Sequence, residues 1–344
     1  MDNDWADFRI FKLLLEGLRH RNFRVASERL HTSQSSFSSA AKQFLEQSHV
    51  RLYKRRKDNR LELTRAGAAL IEMAPILFRV RDEVLAALKA IDRGEISHLR
   101  LGRGALVDPG LFQAACAIHK RFLPDCEIHR SLADSAQLAA EVLEGKIDAA
   151  LITLPADAPE LRIELLRRDR LVACLRGDDP LAMSKSALSA ADLSARPGIF
   201  YDPARHPAAH ERLVEMLAEA GIQMQEHSRV SHPSDLQQLV LEGDGMAFIR
   251  EGTALLPGLT TRPIIGKTWT VDTAFIYRND CHPETIPLLV LELKSQHGTE
   301  SKRSAKEAVM SPINGSRKRP AKPNGNAAEQ LSLLDELPDE RLSA

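Results

Sequence analysis

The sequence predicts a multidomain α/β protein with a helical N-terminal domain, a long linking helix and a two-lobed α/β domain. Residues 1–64 contain short amphipathic helices followed by a basic hairpin pattern, and residues 65–94 carry apolar side chains at helical spacing. Residues 95–296 alternate short strands with helices, which is typical of a parallel α/β sheet. A chain of 344 residues is too long for one compact core, and its 43% of hydrophobic residues can fill several cores.

Three short helices are predicted at the N-terminus. Asp4 can cap the first helix, and the second runs from about Phe23 to Leu30. The third begins after an N-cap at Thr32 or Ser33, and the loop before it is short enough to hold the last two helices at a fixed angle. The side chains that we expect to face the core recur at helical spacing: Trp5, Phe8, Phe11, Leu14, Leu15, Leu18, Phe23, Ala26, Leu30, Phe37, Ala41, Phe44 and Leu45.

The third helix leaves one face of short, hydrogen-bonding side chains free. Hydroxyl and amide groups on such a face reach base edges and phosphates in the major groove of duplex DNA. Gln34 can offer both a donor and an acceptor to adenine. The side chains that we expect to meet the major groove are Ser33, Gln34, Ser35, Ser38, Ser39 and Lys42.

A basic hairpin is predicted directly after the third helix. The strand-like runs 51–53 and 61–63 flank the turn pair Asp58–Asn59. Cationic side chains cluster around this turn, and we expect Arg51, Arg55 and Arg56 to contact phosphates. Together the two helices and the hairpin predict a winged helix-turn-helix, because an ordinary helical hairpin with a solvated basic loop would need all three features to coincide by chance.

A long helix is predicted from Thr64, with a seam of apolar residues that suits pairing with a second copy of the chain. Pro75 interrupts it, and an uncompensated proline inside a helix costs about 3 kcal/mol, so we expect a bend or a local weakening there. The polar run 92–97 has the composition of a hinge. The seam comprises Ala66, Leu70, Met73, Leu77, Val80, Val84, Leu88 and Ile91.

Beyond the hinge, the strands and helices predict two similar α/β lobes joined by two crossings, an arrangement that makes a cleft. The predicted strands are 99–102, 127–132, 149–154, 163–175, 198–201, 226–230, 246–249, 262–265 and 271–277. The predicted helices are 110–122, 135–143, 208–220, 234–241 and 283–295. Residues 297–344 are rich in Ser, Lys, Arg, Pro, Asn and Gly, which predicts a disordered tail.

The N-terminal pattern resembles the signature of LysR-type transcriptional regulators. The run Asn22-Phe23-x-x-Ala26-x-x-x-Leu30-His31-x-Ser33-Gln34-x-x-x-Ser38 continues to Val50-Arg51-Leu52-Tyr53-x-Arg55 and Leu63-Thr64-x-Ala66-Gly67. The chain departs from the family's pattern at Ser35, Ser39, Ala40, Leu45 and His49. The later chain follows the family's layout to about Gln296 and resembles its periplasmic-binding-protein-like effector domain. The resemblance implies a sequence-specific, dimeric or tetrameric regulator of transcription whose effector is an organic anion, and contact with RNA polymerase is compatible with it.

A cleft between the lobes is the expected site of the effector. Small-molecule sites favour interdomain positions and the C-terminal ends of parallel strands. A surface or packing role is the alternative for each loop residue at these ends, because a pocket uses only some of the loops around it. The residues that we expect to contact the effector are Arg103, Gly104, Ala105, Pro155, Tyr201 and His232.

No enzyme, metal or cofactor motif is found. Gly102-Arg103-Gly104 lacks the third glycine of a dinucleotide-binding turn, since Val107 stands at that offset. Cys116 and His119 share a helical face without further ligands, so we interpret them as a core cysteine and a boundary histidine. Neither a G-x-S-x-G elbow, a P-loop nor an H-E-x-x-H pattern occurs. The sequence therefore predicts a protein that is not an enzyme and needs no cofactor.

Charge and cysteine usage leave two rival interpretations. Lys and Arg number 47, as do Asp and Glu, so the formal net charge is zero and the basic residues of the hairpin must act locally. A small-molecule binding protein whose helix-turn-helix serves dimerisation or protein contact is one rival. A redox sensor using Cys116, Cys126 or Cys174 is the other, although the cysteines lack C-x-x-C spacing. No apolar run is long enough to span a bilayer and no apolar leader precedes residue 20, so we expect a cytoplasmic protein without membrane contact.

Overall fold

A computed structural model describes residues 7–58, 60–156, 158–183, 187–194, 196–266 and 269–296. The predictions for Asp4, Trp5, Asn59 and the tail 297–344 lie outside these residues. The N-terminal elements are α1 (Phe8–Arg19), α2 (Phe23–Arg29), α3 (Gln34–Ser48), β1 (Tyr53–Arg55), β2 (Leu61–Leu63) and α4 (Arg65–Asp92). Then follow β3 (His98–Gly104), α5 (Pro109–Phe122), β4 (Glu127–Ala133), α6 (Ser135–Leu143), β5 (Ala149–Thr153) and β6 (Leu161–Arg176). The remaining elements are α7 (Pro180–Met183), α8 (Ala190–Leu193), β7 (Pro197–Tyr201), α9 (Pro207–Glu219), β8 (Gln225–Val230), α10 (Pro233–Glu242), β9 (Ala247–Arg250), β10 (Leu259–Arg262), β11 (Thr270–Arg278) and α11, residues 285–296.

The N-terminal domain packs α1, α2 and α3 around one apolar core that β1, β2 and the start of α4 complete. Asp7 caps α1, since its carboxylate accepts a hydrogen bond from the backbone N–H of Ile10 at 2.8 Å. Ser27 is buried where α2 crosses its neighbours, and its hydroxyl donates to the carbonyl of Arg24. The small side chain permits the close crossing that a helix-turn-helix requires.

Two side chains predicted to lie in this core are exposed. Phe8 is 43% exposed because it occupies the first position of α1, beyond the edge of the core, and its ring lies 6.3 Å from that of Phe78 on α4 instead. Ile10 takes the core position at this end of α1. Leu45 is 38% exposed, since the buried part of α3 ends at Ala41. Both core predictions were therefore wrong.

The first strand of the hairpin begins two residues later than predicted. Tyr53 pairs with Leu63 and Arg55 with Leu61 in an antiparallel register, so the strand starts at Tyr53 rather than at Arg51. Two features hold the segment before the strand. Leu52 is buried, and its carbonyl accepts a hydrogen bond from the backbone N–H of Thr64 at 3.0 Å. Strands of this length carry too little side-chain alternation to define their ends in advance.

Helix α4 runs through Pro75 without a break and exposes much of its predicted seam. Thr64 caps it, as its hydroxyl accepts from the backbone N–H of Gly67 at 3.1 Å. Its buried residues are Gly67, Ala74, Ala87 and Ala90. The large apolar side chains exposed on the helix are Met73, Ile76, Leu77, Val84, Leu85 and Leu88.

One mixed sheet links the two lobes. Its order is β10-β6-β11-β5-β3-β4, with β9 also paired to β6. The first part of β6 pairs with β11, whereas its last residues pair with β9 and β10, so this 16-residue strand passes from one lobe to the other. The pairs β3–β4, β3–β5 and β7–β8 are parallel, and β11 is antiparallel to both of its neighbours. The cleft between the lobes lies at the carboxyl ends of β3, β5 and β7.

Strand β10 ends at Arg262, three residues before the end of its predicted counterpart. Its register pairs Leu259 with Arg176 and Arg262 with Ala173. Pro263 follows directly, and a proline has no N–H to donate to the ladder, so the strand stops there. Ile264 makes only an isolated bridge, to Leu188. The predicted strand 262–265 was misplaced for this reason.

Candidate DNA-recognition surface and effector cleft

Helix α3 is held at its N-terminus by a cluster of serine hydroxyls. The hydroxyl of Ser33 accepts from the backbone N–H of Ser36 at 3.2 Å and lies 2.8 Å from the hydroxyls of Ser35 and Ser36. Ser33 is thus the N-cap, and its hydroxyl satisfies one donor that the first turn leaves without a helical partner. Thr32, the other predicted cap, lies one residue too early.

The predicted base contacts share one exposed side of α3. Phe37, Ala40 and Ala41 are buried against the domain core. The opposite side presents exposed Gln34, Ser35, Ser39 and Lys42, with Ser38 half-buried at its edge. Lys42 lies 3.7 Å from Glu46 one turn on, in a pair exposed enough that a nearby phosphate could displace the carboxylate.

The hairpin brings its cations beside this face of α3. The guanidinium of Arg55 lies 5.6 Å from the ring centre of Phe23, and its Nη2 donates to the hydroxyl of Ser38 at 3.2 Å. Arg56 donates through Nε to Glu62 at 3.1 Å, and both side chains are more than half exposed. Arg51 is exposed and has no carboxylate partner within the described part of the chain. The face of α3 and the hairpin cations together form what we call the recognition surface.

Between the lobes lies a cleft of about 690 Å³. Arg103, Ala105 and Tyr201 line it, whereas Gly104, Pro155 and His232 do not. Gly104 is the last residue of β3 and is packed against Leu151 and Val107. His232 precedes Pro233, which does line the cleft. The apolar walls include Leu106, Leu171, Leu213, Met216, Phe248 and Ile249.

A chain of alternating charges crosses the cleft, and no pattern in the sequence indicated it. Asp108 accepts from Nη2 of Arg167 at 2.8 Å, and Asp169 accepts from Nε of Arg167 at the same distance. Arg250 on β9 places its Nε 2.8 Å from the same oxygen of Asp169, without the alignment of a hydrogen bond, and its Nη2 donates to the carbonyl of Leu106 at 3.1 Å. These four side chains, Asp108, Arg167, Asp169 and Arg250, form what we call the charge chain, which ties β9 of the second lobe to the first loop of the first lobe.

Burial and pairing shift the titration of these groups. Burial lowers the pKa of Arg250, although the nearby carboxylate of Asp169 opposes the shift. Burial alone would raise the pKa of Asp108, but hydrogen bonds from Arg167 and from the backbone N–H of Gly110 outweigh it and hold the pKa low. Burial raises the pKa of the Tyr201 phenol to about 12. Asp108 is therefore ionised near neutrality, and Tyr201 remains a neutral hydroxyl.

Arg103 is a guanidinium of the cleft that lies outside the charge chain, and the carboxylate of Glu251 also lines the cleft. Arg103 donates to the carbonyl of Val107 at 3.0 Å and pairs with no carboxylate in the described chain. The charge chain is neutral within itself, and Arg212 on the wall pairs with Glu215 at 3.0 Å. A carboxylate or another anion of a small organic molecule would thus find one guanidinium without a carboxylate partner beside an apolar wall.

A second contact between the lobes was also missed. His206, which is 6% exposed, donates through Nε2 to the carbonyl of Ser231 at 2.8 Å, and its Nδ1 lies 3.4 Å from the carboxylate of Asp134. Asp134 is the N-cap residue of α6 but makes no capping hydrogen bond with its side chain. The Asp134 carboxylate instead faces the other lobe, on the side where Tyr201 packs against His206.

The cysteines lie in separate places. Cys116 and Cys126 are buried in the core of the first lobe and Cys174 in that of the second, while Cys281 is exposed. Burial raises the pKa of all three buried thiols, that of Cys174 to about 11. His119 is fully buried rather than at a boundary as predicted, because its Nε2 lies 3.2 Å from the Cys126 sulfur inside the core. Thiols held neutral in this way react slowly with oxidants.

The described residues hold neither a candidate metal cluster nor a membrane-spanning helix. They contain no group of three or more His, Cys, Asp or Glu side chains placed to bind a metal ion. No helix among them is both long and apolar enough to cross a bilayer.

Known proteins match the chain in both parts. BudR, an HTH-type transcriptional regulator of Raoultella terrigena, is 26% identical over 263 residues that cover 75% of this chain and 90% of BudR. OxyR, a DNA-binding transcriptional dual regulator of Escherichia coli, is 24% identical over 270 residues, with coverage of 75% and 86%. CatR, an HTH-type transcriptional regulator of Pseudomonas putida, is 26% identical over 251 residues, with coverage of 72% and 81%.

Solved structures share the fold. Full-length BenM superimposes with a TM-score of 0.53 at 19% identity, covering 90% of this chain and 100% of that chain. A mutant of Corynebacterium glutamicum OxyR gives a TM-score of 0.54 at 22% identity, covering 89% and 96%. These likenesses confirm the predicted fold class of an N-terminal helix-turn-helix followed by a two-lobed α/β domain.

Two family models identify the same two parts. The model for the bacterial regulatory helix-turn-helix protein, lysR family, matches residues 8–68. The model for the LysR substrate binding domain matches residues 92–297, which is more than half of the 344 residues. The predicted resemblance is therefore confirmed, and the protein belongs to the LysR family of transcriptional regulators, with a helix-turn-helix DNA-binding domain and an effector-binding domain.

Proposed function

We propose that the protein regulates transcription in the cytoplasm by reading a DNA duplex with the recognition surface. The observation that carries the proposal is the exposed, hydrogen-bonding side of α3 directly beside the cations of the hairpin. Gln34, Ser38 and Ser39 would meet base edges, and Lys42 would reach the edge of the groove. Arg51, Arg55 and Arg56 would contact the phosphates that flank the groove, and Arg51 and Arg56 would supply affinity without sequence preference.

A dimer follows from the exposed apolar side of α4. Met73 is 65% exposed, Leu88 56% and Ile76 54%, and these side chains lie on a helix of 28 residues. A second copy of α4 would cover them and would place two recognition helices on one DNA site. Two helices reading a pseudo-palindrome discriminate between sequences better than one. Higher association to a tetramer is compatible with this arrangement.

The effector would bind in the cleft as an organic anion. Its anionic group would pair with Arg103, and its apolar part would lie against Leu106 and Phe248. Neutral Tyr201 can add one hydrogen bond from its hydroxyl. A ligand that touches both lobes stabilises one lobe arrangement over others, and so shifts the population of oligomer geometries that bend DNA and contact RNA polymerase.

Footprinting tests the DNA-binding part of this proposal. The purified full-length protein is applied to the DNA that flanks its own gene, at moderate salt, beside the Gln34→Ala Ser38→Ala variant. We expect the parent to protect a long interrupted dyad and the variant to lose that protection. A variant with Gln238→Ala, an exposed glutamine on α10 far from α3 in sequence, serves as the control and should protect like the parent.

Equal protection by parent and double variant would contradict the assignment of α3 as the recognition helix. Absence of protection on any DNA would favour the rival interpretation, a small-molecule binding protein whose helix-turn-helix serves dimerisation. A separate experiment tests the effector part. Thermal shift measures the binding of benzoate and of its neutral amide to the parent and to Arg103→Ala. Stabilisation by the anion that Arg103→Ala abolishes is the expected result.

A further inference from the structure

Arg55 of the hairpin is joined to Ser38 of the recognition helix. Nη2 of Arg55 lies 3.2 Å from the Ser38 hydroxyl, and the guanidinium is held over the ring of Phe23, 5.6 Å from its centre. Phe23 is 3% exposed and packs against Phe37 and Tyr53, so the support under the guanidinium is rigid. The exposed Arg55 side chain therefore has two contacts that favour this orientation before any DNA arrives.

The direction of this hydrogen bond is set by chemistry. A guanidinium has five N–H donors and no acceptor, so Arg55 must donate and the Ser38 oxygen must accept. A serine hydroxyl carries one proton and two lone pairs. With one lone pair taken by Arg55, the hydroxyl proton points away from the guanidinium and is left to donate elsewhere.

Ser38 differs in this respect from three serines within helices or at their ends in the described chain. The hydroxyls of Ser27, Ser48 and Ser194 each donate to a backbone carbonyl three or four residues earlier in their own helix. That arrangement is common for serine inside a helix, and it uses up the proton. No such bond is found for Ser38 among the described residues, so its proton remains available on the side of α3 that would face DNA.

We propose that Arg55 is a positioning residue that makes Ser38 a hydrogen-bond donor, so that the base opposite Ser38 in the operator presents a major-groove acceptor, as guanine, adenine and thymine do, and is not cytosine. The joined pair presents N–H and O–H donors to the groove, and only the second lone pair of the Ser38 oxygen remains as an acceptor. Guanine offers two acceptors in the major groove, O6 and N7, and no donor, whereas cytosine offers only its amino donor there. The inference rests on the proposed function, since it requires α3 to lie in the major groove.

Selection from a randomised duplex library with the full-length protein tests this inference. The parent should select a motif with one position that excludes cytosine, and Ser38→Ala should abolish that exclusion. Discrimination between guanine and cytosine at that position should fall by roughly 3- to 10-fold in Ser38→Ala, the range of one ordinary hydrogen bond. Ser38→Thr, which keeps the hydroxyl, should retain the preference.

A double-mutant cycle separates positioning from direct contact. Arg55→Ala should relax the same position as Ser38→Ala, and the variant with both changes should be no more relaxed than either one. Arg56→Ala, which removes a neighbouring cation paired with Glu62, should bind all sequences more weakly and select the same motif. A further shift in base preference when Arg55→Ala is added to Ser38→Ala would overturn the inference, because Arg55 would then read a base itself.

Arg55→Gln keeps the experiment decisive if Arg55→Ala fails to fold. A glutamine amide can accept as well as donate, so it leaves the Ser38 hydroxyl free to turn, and the preference at that position should relax while binding persists. An unchanged motif in Arg55→Gln and Ser38→Ala would overturn the inference but leave the proposed function intact. A parent that selects no motif would overturn both.

Discussion

The DNA-binding domain and the effector-binding domain place their functional side chains in opposite ways. The recognition surface is built from neighbours in sequence, all between Ser33 and Arg56, and most of its side chains are exposed. The cleft is built from a loop after β3, from β6 and from β9, and its charge chain is largely buried. Solvent and salt therefore reach the first site freely, whereas the second is governed by desolvation and pairing inside the protein.

The same difference explains what the sequence could predict. Side chains of α3 share a face because of the helical period alone, so Gln34, Ser38 and Lys42 could be named in advance. Arg167 and Arg250 are 83 residues apart in number and meet only because β6 and β9 pair. No local pattern marks them. Arg103, near the end of β3, could be named only because the carboxyl end of a parallel strand is a known position for ligands.

The largest effect that would separate the two domains is expected from Gly67→Ala at the start of α4. A Cβ at this position would lie 1.9 Å from the carbonyl oxygen of Leu52, which is backbone and cannot move aside alone. We expect the free energy of unfolding of the DNA-binding domain to fall by about 3 kcal/mol, in line with the larger overpacking costs. Urea denaturation followed by circular dichroism measures the loss.

Two further measurements sharpen that test. Ala68→Ser, an exposed position on the same turn, should change the stability little. Trp269 is buried in the second lobe, so its fluorescence in a Trp5→Phe background reports on the effector-binding domain and should be unaffected by Gly67→Ala. A parallel loss in both signals would mean that the two domains unfold together and that the comparison drawn above does not extend to stability.

The next effect is expected from Asp169→Asn in the charge chain. This carboxylate accepts contacts of 2.8 Å from both Arg167 and Arg250, and all three side chains are mostly buried. Without it, two guanidinium groups face each other with only Asp108 to compensate. We expect the free energy of unfolding to fall by about 2 kcal/mol, because an unpaired and largely buried charge is costly. The Trp269 fluorescence measures this in the same background.

An exposed ion pair provides the control for Asp169→Asn. Arg278 and Asp280 are 2.9 Å apart, with the Asp280 side chain 71% exposed. Asp280→Asn should change the free energy of unfolding little, because water and salt already screen such pairs. Similar losses in the two variants would show that the charge chain behaves as a surface pair and that the cleft is wetter than its side chains indicate.

A smaller effect is expected from Arg56→Ala, and it should appear in binding rather than in folding. One phosphate contact changes the slope of log affinity against log salt by about 0.9 on duplex DNA, so the slope should flatten by that amount. Arg168→Ala is a matched control in the effector-binding domain. Arg56 and Arg168 are 62% and 66% exposed, and each lies 3.1 Å from a carboxylate. Equal slopes for the parent and Arg56→Ala would contradict the phosphate contact.

The smallest effect at neutral pH is expected from Tyr201→Phe in the cleft, because its pH-dependent part appears only in alkali. Burial raises the pKa of Tyr201 from 10.0 to about 12, so between these values the unfolded chain gives up a proton that the folded protein keeps. The free energy of unfolding must then fall as the pH rises through this window. Cys174, whose pKa burial raises from 9.0 to about 11, adds a slope of the same sign.

The measured quantity is therefore the difference in the free energy of unfolding between the parent and Tyr201→Phe, obtained by urea denaturation at successive pH values. A difference that is constant below pH 10 and shrinks above it supports a buried phenol, whereas a constant difference throughout would mean that water reaches Tyr201 as freely as it reaches the recognition surface.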